Sequence, residues 1–183
     1  MSELTLLLQK VQAGDAGALD ALFAVAYPEL QRLAKARLRD SGHHTLLDTR
    51  SLVHESYLRY LNSGQLRAED RRAFFAYASQ VMRSVIVNAA RDRAAGKRGA
   101  GQKALSLSTE MGGQVAEGER DVLRLNDALE VLERADPRLA QLVQMRYFGG
   151  YSEQEIAETL EVTERTVNRL WTKAKLMLQA AME

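Results

Sequence analysis

The chain contains no cysteine, which excludes a disulfide framework, a thiolate zinc site and a cysteine nucleophile. Proline is nearly absent: Pro28 and Pro137 are the only two in 183 residues, so little interrupts a helix. No run approaches the about 18 apolar residues of a membrane span, and no signal-peptide pattern is present, so a cytoplasmic protein without a membrane partner is expected. An excess of charge is missing too, because 25 Lys and Arg face 24 Asp and Glu for a formal net charge of +1. Any nucleic-acid contact must therefore be argued from local charge. Three histidines remain, and His43, His44 and His54 with Glu55 lack HExxH spacing. They read as ordinary polar residues, so the expectation is no metal, no cofactor and no catalytic residue.

Ala, Leu, Arg and Glu dominate instead, and 46% of the residues are hydrophobic, which points to an all-α protein. The most informative stretch is SEQEIAETLEVTERTVNRLWTKAKLML, from Ser152 to Leu178. Ser152 with Glu155 forms a capping box, and Ile156, Ala157 and Leu160 give a short first helix an apolar face. Thr163 can cap a second helix, in which Val167, Leu170, Trp171, Ala174, Met177 and Leu178 fall on one stripe. The opposite face carries Arg165, Asn168, Arg169, Thr172 and Lys173. Arg and Asn can bond bidentately to purine edges, and Lys and Thr can reach phosphates. A solvated face on an ordinary bundle helix would look the same, but the capped helix and short turn before it favour a helix-turn-helix.

Upstream, Leu4 to Val11 begins a helical pattern that Gly14 and Asp15 stop and restart. A second helix is expected from near Ala16, with Leu19, Leu22 and Phe23 inward and Pro28 either kinking it or opening the next turn. Val53, Tyr57, Tyr60 and Leu61 share a face of a third helix. Phe74, Tyr77, Ala78, Val81, Met82 and Val85 mark a long fourth, running to about Arg93. These aromatics are expected in the core; the rival use of Phe74 or Tyr57, stacking on an unpaired base, has less behind it. Apolar periodicity fails between Ala94 and Arg120, where half of the 12 glycines lie. That stretch reads as a flexible linker, dividing two small helical domains at 1–94 and 121–183 with 95–120 between them. Asp121 is expected to start a helix, and Asp136 with Pro137 to cap another. Arg91, Arg93, Lys97, Arg98 and Lys103 form a basic cluster opposed only by Asp92.

In that order the segments resemble the extracytoplasmic-function (ECF) subgroup of bacterial RNA polymerase sigma factors, in the sigma-70 family. The matching stretches are QKVQAGDAGALDALFAVAYPELQRLA, DTRSLVHESYLRYL, FFAYASQVMRSVIVNAARDR and DPRLAQLVQMRYFGGYSEQEIAETLEVTERTVNRL. The resemblance implies a non-enzymatic factor that directs promoter-specific initiation, with region 2 in 1–94 and region 4 in 121–183. Its partners would be promoter DNA and core RNA polymerase, through the clamp helices of the largest subunit and the flap of the second-largest. An anti-sigma protein is a further partner that such factors can take. Arg165, Asn168, Arg169, Thr172 and Lys173 would face the minus-35 element. Asn62 and Ser63 would lie in the loop that captures a flipped minus-10 base, and Arg83 and Arg91 where basic residues meet the backbone. Asp48, Arg50, Leu52, Val53 and Glu55 would contact polymerase. The linker would thread the polymerase cleft, although its composition suits an inert tether equally well. A stand-alone LuxR-like regulator is the alternative, since the C-terminal sequence alone would allow it.

The chain departs from the family at the polymerase-binding helix. The usual acidic group is replaced by Asp48, Thr49, Arg50 and Ser51, which together carry no formal charge. Contact with a basic clamp should then be weak. Phosphorylation of Thr49 or Ser51, with Thr45 as a third candidate, would add about −1.5 to −2 charges at a helix start that favours anions. A serine/threonine kinase is thus an expected partner; the competing reading is that Glu55 and apolar contacts suffice unmodified. A second departure is Glu161, which occupies the helix-turn-helix turn where Gly is frequent.

Overall fold

The computed structural model describes residues 2–40, 49–63, 68–99 and 109–182, and all regular structure among them is helical. Helix α1 (Glu3–Gln12) is capped by Ser2, whose hydroxyl accepts from the Thr5 amide at 3.3 Å. Gly14, at φ +83°, ends it in a conformation that a side chain would disfavour, and the Asp15 carboxylate accepts from Gly17 N at 3.0 Å. Helix α2 (Ala18–Asp40) follows and continues past Pro28. The ring removes one amide donor, but Ala24 and Pro28 both lie on the exposed side, where water can satisfy the orphaned carbonyl.

Helix α3 (Thr49–Ser63) and helix α4 (Arg71–Gly99) complete the N-terminal bundle. Asp70 caps α4 by accepting from Ala73 N at 2.8 Å. Phe23, Phe74 and Phe75 are buried edge to face, and Tyr57 joins with its ring 4.6 Å from Phe23. The aromatics therefore serve the core, each fully buried ring contributing about 1.5–3 kcal/mol.

The C-terminal half opens with α5 (Thr109–Ala135), continues with α6 (Pro137–Val143) and a π-helical turn (Gln144–Phe148), and ends with α7 (Glu153–Leu160) and α8 (Glu164–Met182). Asp136 caps α6 by accepting from Leu139 N at 3.1 Å, with Pro137 in the first helical turn. Helices occupy most of the stretch expected to be a linker: α4 continues to Gly99 and α5 begins at Thr109, while 100–108 lie outside the described residues.

The two halves pack on one another through α4, which touches both α5 and the π turn. The buried residues form one continuous cluster, from Leu8 through Met82 to Leu129, Phe148 and Val167. Gly149 sits where the π turn meets α4. A β-carbon there would press on the Ser79 hydroxyl and come within 2.8 Å of Met145 O and 2.9 Å of the Tyr151 ring.

Candidate nucleic-acid and polymerase interfaces

The helix-turn-helix is built as its sequence dictates. Ser152 accepts from Glu155 N at 3.3 Å while Glu155 accepts from Ser152 N at 2.8 Å, closing the capping box at the start of α7. Burial is the largest influence on Glu155 and pushes its carboxyl up, but the Ser152 amide and hydroxyl together with Arg32 outweigh it, and the net displacement is downward. At the other end Glu161 adopts φ 55°, ψ 47°, and Val162 N reaches back to Ala157 O at 2.9 Å. This left-handed stop is one that Gly would make without strain; Glu161 makes it at about 1–2 kcal/mol. Thr163 then accepts from Thr166 N at 3.2 Å to begin α8.

Helix α8 buries Val167, Ala174 and Leu178, with Leu170, Trp171 and Met177 partly covered. Arg165, Asn168, Arg169, Thr172 and Lys173 are all exposed on the opposite face. Asn168 Nδ2 donates to Glu153 at 2.8 Å, and Lys173 donates to Asp136 at 3.1 Å. The Thr172 hydroxyl is turned back to Asn168 O at 3.0 Å. Asp136 is held below the usual carboxylate range, first by the Leu139 amide and then by Lys173.

On α4, Arg83 is 9% exposed. Its Nε donates to Asn126 Oδ1 at 2.9 Å and Nη1 to Glu133 at 2.7 Å, and Gln144 donates to the same Glu133 oxygen at 2.6 Å. Arg91 is exposed and lines the polar cleft of about 370 Å³ beside that network. At the start of α3, Arg50 and Glu55 are exposed, whereas Leu52 and Val53 are buried. Arg50, Ser51 and His54 border an open groove of about 600 Å³ facing Tyr27 and Asp20 of α2, across which Tyr57 donates to Asp20 at 2.5 Å. That bond, followed by burial, raises the Tyr57 phenol above its ordinary value.

The family model for ECF sigma factors matches residues 1–183. The chain belongs to the ECF sigma factor family. Neither the curated proteins nor the solved structures contain a match. Because the family match spans the N-terminal half as well, the stand-alone regulator reading is not favoured. Members of the family bind core RNA polymerase and promoter DNA to direct transcription initiation, a non-enzymatic role. Among the described residues no helix is long and apolar enough to cross a membrane.

Several residues singled out from the sequence are placed otherwise in this sigma factor. Arg83 does not present its guanidinium to solvent, because α5 covers it and supplies its partners. Leu52 and Val53 are 0% and 2% exposed, so they hold α3 on the bundle. Asn62 and Ser63 end α3, with side chains outside the described residues. Thr49 lies in the first turn of α3, its side chain likewise undescribed, and Ser51 is half-buried. Thr45 and Asp48 lie outside the described residues. Sequence reasoning missed Glu153 and Arg146, which meet at 3.0 Å, with the guanidinium 4.6 Å above the Trp171 ring. They lie in different elements, Arg146 in the π turn and Glu153 in α7, so periodicity within one helix does not pair them.

Proposed function

We propose that this ECF sigma factor reads the minus-35 element through Arg165, Asn168, Arg169, Thr172 and Lys173, with region 4 in 121–183 and region 2 in 1–94, and that phosphorylation near the start of α3 controls its docking on core polymerase. The observation carrying the first part is the exposure of all five side chains on a capped helix-turn-helix, in a chain matched by the family along its whole length. Lys and Arg there supply sequence-independent affinity, while Asn168 and the two arginines supply base contacts.

The control step is supported by charge and position. Asp48, Thr49, Arg50 and Ser51 sum to zero, and Thr49 and Ser51 occupy the first turn of α3, where the helix dipole favours an anion. A phosphate of about −1.5 to −2 charges at either hydroxyl restores an acidic cluster for a basic clamp. Run-off transcription with core enzyme tests both parts. Thr49→Asp or Ser51→Asp, or the kinase-treated chain, should compete for core about tenfold better than the unmodified chain, given that close interfacial charge pairs carry roughly 1.5–7 kcal/mol. Equal competition by the unmodified chain would discard the switch and leave Glu55 and neighbouring contacts as the docking surface.

A further inference from the structure

We propose that Glu153 is a specificity-determining positioning residue, which fixes the amide of Asn168 so that α8 takes adenine rather than guanine at one minus-35 base pair. The inference rests on the reading of Asn168 as a minus-35 contact. Glu153 is the first residue of α7, and its carboxylate bridges two elements: one oxygen accepts from Asn168 Nδ2 at 2.8 Å and the other forms an ion pair with Arg146 at 3.0 Å. An ionised carboxylate can only accept, so the nitrogen of the Asn168 amide must face it. One Nδ2 hydrogen is thereby committed. The second N–H and Oδ1 remain as a donor and acceptor side by side, the pattern that matches N7 and the N6 amino group of adenine.

Guanine presents two acceptors, N7 and O6, on the same edge. An unrestrained amide can turn its nitrogen toward O6 and tolerate guanine; one tied to Glu153 meets O6 with its own oxygen. Glu153 is itself held. Arg146 projects from the π turn, 4.6 Å over the Trp171 ring, and only 30% of its side chain is exposed. Widened helical turns of this kind often re-aim a side chain at a functional site. The guanidinium also offsets the negative charge of Glu153, which would otherwise repel nearby phosphates.

The test is transcription by holoenzyme, the full chain with core polymerase, from promoters randomised across the minus-35 element. Asn168→Ala and Glu153→Gln should each lower the adenine-over-guanine preference at the same base pair by roughly fivefold or more, since a bidentate contact discriminates by about that factor or above. The double variant should lose no more than Asn168→Ala alone, and preferences elsewhere should stay as they are. Glu153→Gln keeps the length of the side chain but can donate to Oδ1 and so permit the flipped amide. Glu153→Asp keeps the charge at the start of α7 but is too short to span the gap, and it should relax the same base pair, providing a second route should the first variant melt early. If Asn168→Ala relaxes one base pair and neither Glu153 variant does, or if the Glu153 variants weaken every sequence uniformly, the positioning role is overturned. If Asn168→Ala alters no preference, the reading of Asn168 falls, and this inference with it.

Discussion

The ion pair between Arg83 and Glu133 gives a measurable account of how the two halves adhere. Replacing Glu133 with Ala strips Arg83 of its only described carboxylate partner and leaves the guanidinium, with 11% side-chain exposure, to Asn126 alone. Gln144 Nε2 loses its acceptor in the same step. Breaking a fully buried pair from one side costs about 3–5 kcal/mol. Glu133 is 37% exposed, so water can reach the vacated space, and the expected loss falls to about 2–3 kcal/mol. For a chain of this length that corresponds to a melting temperature lower by roughly 4–12 °C. Glu133→Gln should cost less, about 1 kcal/mol, because an amide oxygen can still accept from Arg83. Denaturant unfolding of Glu133→Ala, Arg83→Met and the double variant measures the pair directly. With Arg83→Met in the background, Glu133→Ala should cost at least about 1 kcal/mol less than it does alone. A Glu133→Ala protein within about 0.5 kcal/mol of the parent, or strict additivity in the cycle, would refute the claim that this pair fastens α4 to α5.

Further outcomes follow from other positions. Gly149→Ala should destabilise by about 1–3 kcal/mol in thermal melting, because the added methyl meets backbone and ring atoms as well as Ser79; unchanged stability would mean that the π turn can slide away from α4. Asp136→Ala should cost about 1 kcal/mol near neutral pH through loss of the cap. Because the folded carboxyl lies below its ordinary value, that contribution is intact above the ordinary carboxylate range and fades as pH falls through the depressed folded value. The melting curves of parent and variant should therefore converge in acid, and a gap that widens there would contradict the assignment. Glu161→Gly relieves a left-handed backbone at the expense of an exposed ion pair with Arg72 and some chain entropy, so a net gain of up to about 1 kcal/mol is expected by denaturant unfolding.

Local chemistry was the legible part of this chain. Ser152 and Glu155, Asp136 and Pro137, and Gly14 mark helix ends through bonds made within a few residues, and each does so in the structure. The split of α8 into a buried stripe and an exposed polar face followed from a period of 3.6, which depends on no distant partner. What could not be read involves pairs far apart in the chain. Arg83 looks like any cation on a long helix until Asn126 and Glu133, 43 and 50 residues later, are brought beside it. Leu52 and Val53 were expected at a partner surface because they belong to a motif with that role, yet packing of α3 takes both for the core. The π turn carries no propensity signal, and with it the meeting of Arg146, Glu153 and Trp171 stayed hidden. The stretch from 109 to 120 is helical although it was expected to fall in a linker: glycines and missing apolar periodicity weaken the case for a helix without deciding against one.

Placement of Arg83 bears on how the factor would meet a promoter. The polar face of α8 is open, whereas on α4 the cleft holding Gln80, Arg83 and Asn88 is closed along one side by Asn126, Glu130 and Glu133 of α5. If Arg83 is to reach a phosphate, as the family resemblance implies, α4 and α5 must first part, giving up the pair of about 2–3 kcal/mol together with the apolar contacts around it. Core polymerase can supply such a sum, since a micromolar contact already carries about 8 kcal/mol. The absence of cysteine makes the requirement testable. Gln80 and Glu130 are both exposed and line the same cleft, so Gln80→Cys with Glu130→Cys introduces the only two thiols, which a short bismaleimide can join. The joined protein should keep its binding to minus-35 duplex but lose initiation with core enzyme by tenfold or more, whereas the same protein with each thiol capped separately should initiate normally. Initiation by the joined protein at the parental rate would mean that α4 and α5 stay together at the promoter, and that Arg83 serves only the fold.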